Sequence, residues 1–217
     1  MDVFVTGGTG YVGREMIGAL LRHGHAVRAL VRQASLARVP PGATAVAGDA
    51  LDAETFVEAL YKRTTLVHLV RTPHPSPSKA AEFERVDLTS IQASVEAGRR
   101  APIAHLVYVS VAQPAPMMHA YVDVRARGEA AFAAAGLAAT LIRPWYVLGP
   151  GHWWPLALKP FYCLAEQLPP TREAAWRMGL VTLPQMVAVL VDAVENPPAP
   201  GTIRVVDVPA IRAAQLD

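Results

Sequence analysis

The sequence predicts an α/β protein with a doubly wound parallel sheet, formed as a single domain over residues 1–217. Apolar strand patterns alternate with amphipathic helix patterns along most of the chain, and the links between them are short. The chain also begins with a strand that leads directly into a glycine-rich turn and a helix. With 52% hydrophobic and 18% charged residues, a chain of 217 residues can bury one sizeable core.

The first predicted element is a strand, Val3–Val5, followed by a turn rich in glycine. Gly8, Gly10 and Gly13 fit the spacing G-x-G-x-x-G. Gly7 with the last two glycines also fits the variant G-x-x-G-x-x-G. In this motif one glycine makes a tight turn, one lets the backbone approach a pyrophosphate, and one lets the helix pack on the strand. The N–H groups and positive dipole at the start of the next helix attract phosphates, so the turn predicts a dinucleotide site.

The second predicted strand, Ala26–Val31, ends at Arg32 instead of at an acidic residue. An acid here would bond the ribose 2′-hydroxyl of NAD, whereas an arginine offers a planar set of donors to the 2′-phosphate of NADP. We therefore expect NADP, with NAD as the alternative if Arg32 is only a solvated loop residue. The third predicted strand, Ala43–Ala47, is followed by Gly48 and Asp49, and the Asp49 side chain is expected near the adenine.

Turn-forming residues and hydrophobic spacing divide the middle of the chain into further elements. Asp52 is a good N-cap for one helix, and Gly136 is a good C-cap for another. Residues 71–78 form a proline-rich loop at the carboxyl end of a strand, the edge at which doubly wound sheets bind ligands. The predicted elements are the helices Ala53–Lys62, Ala80–Arg100 and Ala120–Ala135 and the strands Thr65–Val70, His105–Val109 and Ala139–Ile142.

The pattern changes after Pro144, where residues 145–155 are rich in aromatic residues, glycine and proline. We expect residues 145–200 to form a small C-terminal appendage on the substrate side. Its aromatic side chains would line an apolar or aromatic pocket, belong to the core or form a dimer face, and they are Trp145, Trp153, Trp154 and Phe161. The predicted elements are a helix Leu156–Leu168 interrupted by Pro160, a strand or turn Arg177–Leu183, a helix Pro184–Glu195 and a strand Thr202–Val208.

Several of these stretches form a set of motifs: Thr6–Gly13, Val31-Arg32, Gly48-Asp49 with Asp52, Val107–Ser110, and Leu141–Pro144 followed by Leu148–Pro150. Together they resemble the motifs of the short-chain dehydrogenase/reductases, in particular the atypical group that is epimerase-like and NmrA-like. The resemblance implies a Rossmann fold that binds NADP or NAD. It also implies the residues that contact the cofactor, which are Thr6, Gly7, Gly8, Thr9, Gly10, Tyr11, Val12, Gly13, Arg32, Asp49, Ala50, Val70, Arg71 and Pro144.

The resemblance further implies a catalytic tyrosine, because Tyr121-Val-Asp-Val-Arg125 matches the position of the family's Y-x-x-x-K motif. Ser110, at the end of the preceding strand, matches the family's serine and would bond the substrate oxygen. Residues four apart share one face of a helix, so Tyr121 and Arg125 can both reach the nicotinamide ribose. A neighbouring cation favours tyrosinate, which makes a tyrosine usable as an acid and base.

Arg125 departs from the family's lysine, and this leaves more than one function open. An arginine can favour tyrosinate and hold a ribose, but it cannot lose a proton in a relay. The first hypothesis is an NADP-dependent oxidoreductase or epimerase-like enzyme that moves hydride to or from a carbonyl or alcohol carbon. The second is a non-catalytic redox sensor that binds the dinucleotide, and the third is an assembly factor. His119 is an alternative acid and base, although it does not share a helix face with Tyr121.

Charge and cysteine content narrow the range of partners. The net charge is +2 and the sequence has no run of Lys or Arg, so nucleic acid binding is not indicated. No apolar stretch has the length of a membrane span, and the single cysteine, Cys163, excludes an internal disulfide framework. We expect a cytoplasmic monomer or homodimer that acts on a small molecule. His23 and His25 are interpreted as part of a turn and not as a metal site.

Overall fold

The chain folds around a sheet in which every neighbouring pair of strands is parallel. The computed structural model describes residues 1–60, 63–101, 103–168 and 171–216. Its strands are β1 Asp2–Thr6, β2 Ala26–Val31, β3 Thr44–Ala47, β4 Thr65–His68, β5 His105–Val109, β6 Ala139–Arg143, β7 Tyr146–Leu148, β8 Leu180–Thr182 and β9 Ile203–Asp207. The seven-stranded sheet has the order β3-β2-β1-β4-β5-β6-β9, and β7 pairs with β8 in a separate parallel sheet.

Helices connect these strands across both faces of the sheet. The α-helices of the described residues are α1 Tyr11–Arg22, α2 Ala80–Glu82, α3 Thr89–Arg100, α4 His119–Ala134, α5 Lys159–Gln167, α6 Arg172–Arg177, α7 Leu183–Glu195 and α8 Val208–Ala213. A π-helical segment, Phe83–Leu88, joins α2 to α3. Short 3₁₀ helices lie at Gln33–Arg38, Ala53–Thr55, Val57–Ala59, Pro77–Lys79 and Trp154–Leu158.

The sheet has a buried core on each face, as the strand sequences predict. Side chains alternate between the faces of a strand, so Val3 and Val5 of β1 point to one core while Phe4 points to the other. The first core also contains buried residues of α1, α7 and α8, and the second contains buried residues of α3 and α4. These two covered faces confirm the predicted single doubly wound α/β domain.

The order of the strands determines where a ligand can bind. β1 pairs with β2 on one side and with β4 on the other, so the direction of winding changes between β1 and β4. In doubly wound sheets the crevice at this point, outside the carboxyl ends of the strands, is the ligand site. Thr6 is the last residue of β1 and pairs with His68, the last residue of β4, which places the glycine-rich turn at this crevice.

The helix predicted over Ala53–Lys62 is wrong for its described part, which forms two short 3₁₀ helices; residues 61 and 62 lie outside the described residues. The Asp52 side chain does accept a hydrogen bond from the N–H of Glu54, as the N-cap prediction requires. However, the Thr55 hydroxyl lies within 3.0 Å of the carbonyl oxygens of both Asp49 and Asp52. These bonds hold the chain in tight turns, and the next residue, Phe56, is buried against Phe4.

The predicted helix Ala80–Arg100 exists, but its π-helical segment was not predicted. A π-turn adds a residue to the helical turn and changes which side chains face the core. In this segment Phe83, Asp87 and Leu88 are all buried. Hydrophobic spacing does not reveal this segment, because one of its three buried residues, Asp87, is charged.

The C-terminal part follows the prediction at some elements and departs from it at others. Helix α7 ends at Glu195 as predicted but begins at Leu183, so Pro184 is its second residue, and Thr182 caps it through a capping box with Gln185. The strand β7 and the helix α6 were not predicted, and β9 ends at Asp207 because Val208 begins α8. Among the described helices, none combines the length and apolar character that crossing a membrane requires.

Buried histidines of the sheet make stability depend on pH. His105 of β5 is buried, and one of its ring nitrogens lies 3.0 Å from the Thr140 hydroxyl. Burial, with the charge of Arg204 as a smaller cause, lowers the pKa of His105 from 6.5 to about 4. Between these values the unfolded chain binds a proton that the folded chain does not. The unfolding free energy therefore falls as the pH is lowered from 6.5 towards 4.

We expect His105→Gln to weaken this dependence, because glutamine does not titrate and can still bond Thr140. The slope of unfolding free energy against pH should decrease by up to about 1.4 kcal/mol per pH unit. Urea unfolding over this pH range measures the slope. His119→Gln is the matched control, since His119 is exposed, and it should keep the wild-type slope. A wild-type slope in His105→Gln would contradict the assignment.

Candidate functional site

The glycine-rich turn leaves no space for side chains at its key positions. Gly7 has a φ of +76°, and a Cβ there would lie 2.8 Å from the backbone carbon of Leu69. A Cβ on Gly13 would lie 2.6 Å from the Gly7 carbonyl oxygen. The turn is therefore folded tightly between β1, the end of β4 and the start of α1, as the motif predicts.

The start of α1 is available to an anion. Gly10 is the N-cap, no side chain caps the helix, and its first turn contains no acidic residue. The free N–H groups and the helix dipole therefore face outward without competition from a carboxylate. This chemistry, together with the closely packed glycine turn, fits the pyrophosphate of a dinucleotide.

The residues expected at the adenosine end lie at the carboxyl ends of β2 and β3, which are adjacent because Val31 pairs with Ala47. Arg32 is exposed, and its guanidinium makes no hydrogen bond or ion pair with the residues that the structure describes. Asp49 is also exposed, and its Oδ1 accepts a hydrogen bond from the N–H of Leu51 at 3.0 Å. Ala50 is half-buried beside it.

The cofactor contacts expected on the other side of the crevice follow β4 and β6. Val70 is half-buried and its backbone N–H is next to Gly7, at 2.9 Å from the position of a Cβ there. Arg71 is exposed. Pro144 is buried, and its carbonyl oxygen accepts a hydrogen bond from the N–H of Ala112 at 3.0 Å.

Ser110 and Tyr121 are both buried. Ser110 is 3% exposed, and its hydroxyl has no hydrogen-bond partner among the described residues. Tyr121 is 8% exposed and packs edge-on against Phe83 at 5.1 Å between ring centroids. Val111, which follows the serine, belongs to the same apolar cluster as the tyrosine. His119, the alternative acid and base, is exposed at the start of α4.

Arg125 lies beneath the tyrosine with 1% of its surface exposed. Its guanidinium carbon is 5.1 Å from the centroid of the Tyr121 ring, so a cation lies next to the tyrosine as predicted. Its Nη2 donates to the Asp87 carboxylate, which is itself fully buried. Its Nη1 donates to the Val109 carbonyl at 3.2 Å, and its Nη2 also approaches the Val70 carbonyl at 3.5 Å. These donors are therefore directed to the protein itself.

A buried polar network behind the crevice was not predicted. His68 is fully buried, and its Nδ1 lies 3.1 Å from the Thr6 hydroxyl and 2.9 Å from the Ser94 hydroxyl. Burial lowers the pKa of His68 to about 3, with the charge of Arg125 as a smaller cause, so the ring is neutral. Ser90 lies between His68 and the Asp87 carbonyl. A histidine in an otherwise apolar strand is the sequence signal that could have indicated this network.

The segment after β7 packs onto the glycine-rich turn. The Tyr11 ring lies 4.4 Å from the His152 ring, and the buried Tyr11 hydroxyl occupies the space that a Cβ on Gly149 would need. Burial raises the pKa of Tyr11, with the charge of Glu15 as a smaller cause.

Of the aromatic residues expected to line a pocket, Trp145 is half-buried against the apolar cluster around Tyr121, and Trp153 is exposed. The side chains of Trp154 and Phe161 lie outside the described part of the structure.

The histidine pair of the first turn contacts a carboxylate. His23 Nδ1 and His25 Nε2 lie 3.1 and 2.9 Å from the same Glu195 oxygen. This contact joins the end of α1 to the end of α7. Within the described part of the chain, no group of three or more His, Cys, Asp or Glu side chains is arranged so that it could hold a metal ion.

Comparison with known proteins agrees with the geometry of the turn. Residues 7–149 match the NAD(P)H-binding domain family. The 3-diazoavenalumate denitrifying reductase of Streptomyces sp is 31% identical over 247 aligned residues, which cover 99% of this chain and 79% of that protein. The ceramide reductase of Caulobacter vibrioides is 29% identical over 223 residues, which cover 95% of this chain and 64% of that protein.

Solved structures share the fold. MoeE5, crystallised with UDP-glucuronic acid and NAD, superposes with a TM-score of 0.71 at 20% identity, over 96% of this chain and 76% of its own. The glycine turn, the parallel sheet and the match over residues 7–149 lead to one family. The chain belongs to the NAD(P)H-binding family.

Proposed function

We propose that this protein is an NADP-dependent reductase that converts a carbonyl group of an apolar small molecule to an alcohol. The observation that carries the proposal is the buried Ser110 hydroxyl, which has no hydrogen-bond partner among the described residues and directly precedes Val111, a member of the apolar cluster that contains Tyr121. When bound, the cofactor supplies the hydride. The protein supplies binding, orientation and a proton.

Three residues of this chain orient the substrate carbonyl, donate the proton and supply a nearby positive charge. The Ser110 hydroxyl donates a hydrogen bond to the carbonyl oxygen and orients it. The Tyr121 hydroxyl transfers its proton to that oxygen, so the carbon gains a hydride and the oxygen gains a proton. The Arg125 guanidinium, 5.1 Å from the tyrosine ring centroid, stabilises the tyrosinate that remains until solvent returns the proton.

Apolar surroundings support an apolar substrate. Tyr121 lies in a cluster with Phe83 and Val111, and Trp145 packs against this cluster. We assign residues 145–200 to the substrate side, because Trp145 begins that segment. The name of the ceramide reductase points to a lipid substrate, which is consistent with this composition.

A second candidate reaction is the replacement of a diazonium group by hydrogen. It is favoured by the denitrifying reductase that aligns with 99% of this chain, whose name refers to a diazo compound. Delivery of a hydride to an aryl diazonium carbon releases N₂ and needs no proton. The arginine at position 125, which cannot relay a proton, would then be no disadvantage.

We expect Arg32→Ala to weaken binding of NADPH by about tenfold to a hundredfold, because it removes a charge-assisted hydrogen bond to the 2′-phosphate. Binding of NADH should change little, since NADH lacks that phosphate. Calorimetric titration of both cofactors measures the two affinities. Arg99→Ala, at an exposed arginine of α3, is the matched control and should bind as wild type. Wild-type protein that prefers NADH would overturn the cofactor assignment.

We expect Tyr121→Phe to lower kcat for carbonyl reduction by about 10²-fold to 10⁴-fold, since it removes the proton donor. Absorbance of NADPH in the presence of decanal or 4-nitrobenzaldehyde measures the rate, and NADPH affinity should remain unchanged. His119→Gln is the control for the alternative acid and should keep wild-type activity.

The same NADPH absorbance assay distinguishes carbonyl reduction from the reduction of a diazonium group. Reduction of 4-methoxybenzenediazonium that survives Tyr121→Phe, without carbonyl reduction by wild type, would favour the second candidate. Binding of NADPH with no turnover of either probe class would favour a non-catalytic sensor and count against both reactions.

A further inference from the structure

We propose that Asp87 and Arg125 act together as a clamp at the carboxyl ends of β4 and β5, and that this clamp shapes the part of the site for the nicotinamide half of the dinucleotide. Asp87 is its positioning residue. The inference rests on the proposed binding of a dinucleotide, but not on any reaction.

Arg125 joins the two strand ends through its two terminal nitrogens. Nη1 donates to the carbonyl of Val109 at 3.2 Å, and Nη2 lies 3.5 Å from the carbonyl of Val70. Val109 is the last residue of β5, and Val70 follows the end of β4. Pairing between these strands extends from Thr65 to His68 on β4 and does not include Val70. The guanidinium therefore connects the segments that follow β4 and end β5, beyond the last backbone hydrogen bonds between these two strands.

Asp87 holds this guanidinium in place. One carboxylate oxygen binds Nη2 of Arg125, and the other accepts the N–H of Thr72 at 2.9 Å and its hydroxyl at 2.5 Å. Asp87 is fully buried in the π-helical segment Phe83–Leu88. The carboxylate thus fixes both the arginine and the loop that follows β4. A buried cation needs such a partner, because an unpaired charge in the interior is strongly destabilising.

The position of Val70 matters to the glycine-rich turn. The backbone of Leu69 and Val70 fills the space beside Gly7, within 2.9 Å of where a Cβ would lie. The clamp therefore contributes to how closely the chain after β4 approaches the turn, together with the hydrogen bond that the Leu69 N–H donates to the Thr6 carbonyl at 3.0 Å. In doubly wound folds, the half of the sheet that starts with β1 and ends with β3 takes the adenosine, and the other half takes the second nucleotide. β4 and β5 belong to the second half.

Lysine could not replace arginine in this clamp. A guanidinium is planar and directs its donors along fixed diverging lines, whereas an ammonium is a compact point charge. A lysine side chain at position 125 would keep a charge for Asp87 but would not reach both carbonyls. The clamp thus gives a physical reason for Arg125 in this chain. It predicts that Arg125→Lys weakens cofactor binding, whereas the family motif, which has lysine at this position, predicts that lysine serves the site.

The test compares binding of a whole cofactor with binding of its adenosine half. The variants are Asp87→Asn and Arg125→Lys, and the probes are NADPH and adenosine 2′,5′-bisphosphate, titrated by calorimetry. We expect each variant to bind NADPH about tenfold more weakly and the bisphosphate within about twofold of wild type. If wild type prefers NADH, then NADH and AMP are the matching probes.

Glu84→Gln is the matched control. It breaks the Glu84–Arg127 ion pair, at 2.5 Å, between the same π-helical segment and the same helix α4, but on the exposed surface. It should bind both probes as wild type. Circular dichroism reports whether each variant folds, and Arg125→Lys carries the test alone if Asp87→Asn does not fold.

Three results would overturn the clamp. Equal or tighter binding of NADPH by Arg125→Lys would mean that a lysine serves this site as the family motif implies. Equal weakening of both probes would mean a general structural defect. Unchanged affinity in folded Asp87→Asn would remove Asp87 from any role at the site. Wild type that binds neither NADPH nor NADH would instead refute the proposed function and with it the premise of the clamp.

Discussion

A guanidinium keeps its charge throughout the physiological pH range, and burying one requires partners in several directions at once. In this protein Asp87 supplies the opposite charge, and the Tyr108 hydroxyl and backbone carbonyls at the ends of β4 and β5 supply further acceptors. The ion pair therefore joins the tyrosine helix α4, the π-helical segment and two strands. At the ligand-binding edge of the sheet this interaction lies beside the apolar cluster of Phe83, Val111 and Tyr121.

This arrangement changes how the tyrosine helix can be understood. The sequence places Tyr121 and Arg125 on one helix face, and the structure confirms that the cation lies under the tyrosine ring. The donors of the guanidinium, however, point to Asp87 and to backbone carbonyls. The geometry thus favours an arginine that provides a fixed positive field and a scaffold. Its Nε has no hydrogen-bond partner among the described residues.

Much of the fold could be predicted from the sequence because it depends on local spacing. Gly7 and Gly13 are recognisable because their backbone conformation or close contacts exclude side chains, and β2 and β5 have the bounds that their apolar runs predict.

The π-helical segment could not be predicted in this way, because the insertion of one residue in a turn leaves no periodic signal. Asp87 could not be predicted as a buried residue either, because a carboxylate on an amphipathic helix is normally solvated. Only the tertiary structure shows that it faces Arg125. The buried His68 was visible as a polar residue in a strand, but its partners come from distant elements.

The contact between Tyr11 and the segment after β7 has a consequence for how members of this family can be recombined. The tyrosine hydroxyl lies where any side chain at position 149 would begin, so Gly149 and Tyr11 form one packing unit across the boundary between the cofactor half and the C-terminal segment. A chimera that takes its C-terminal segment from a relative must preserve glycine at this point. Otherwise the aromatic residue of the glycine-rich turn must be exchanged along with that segment.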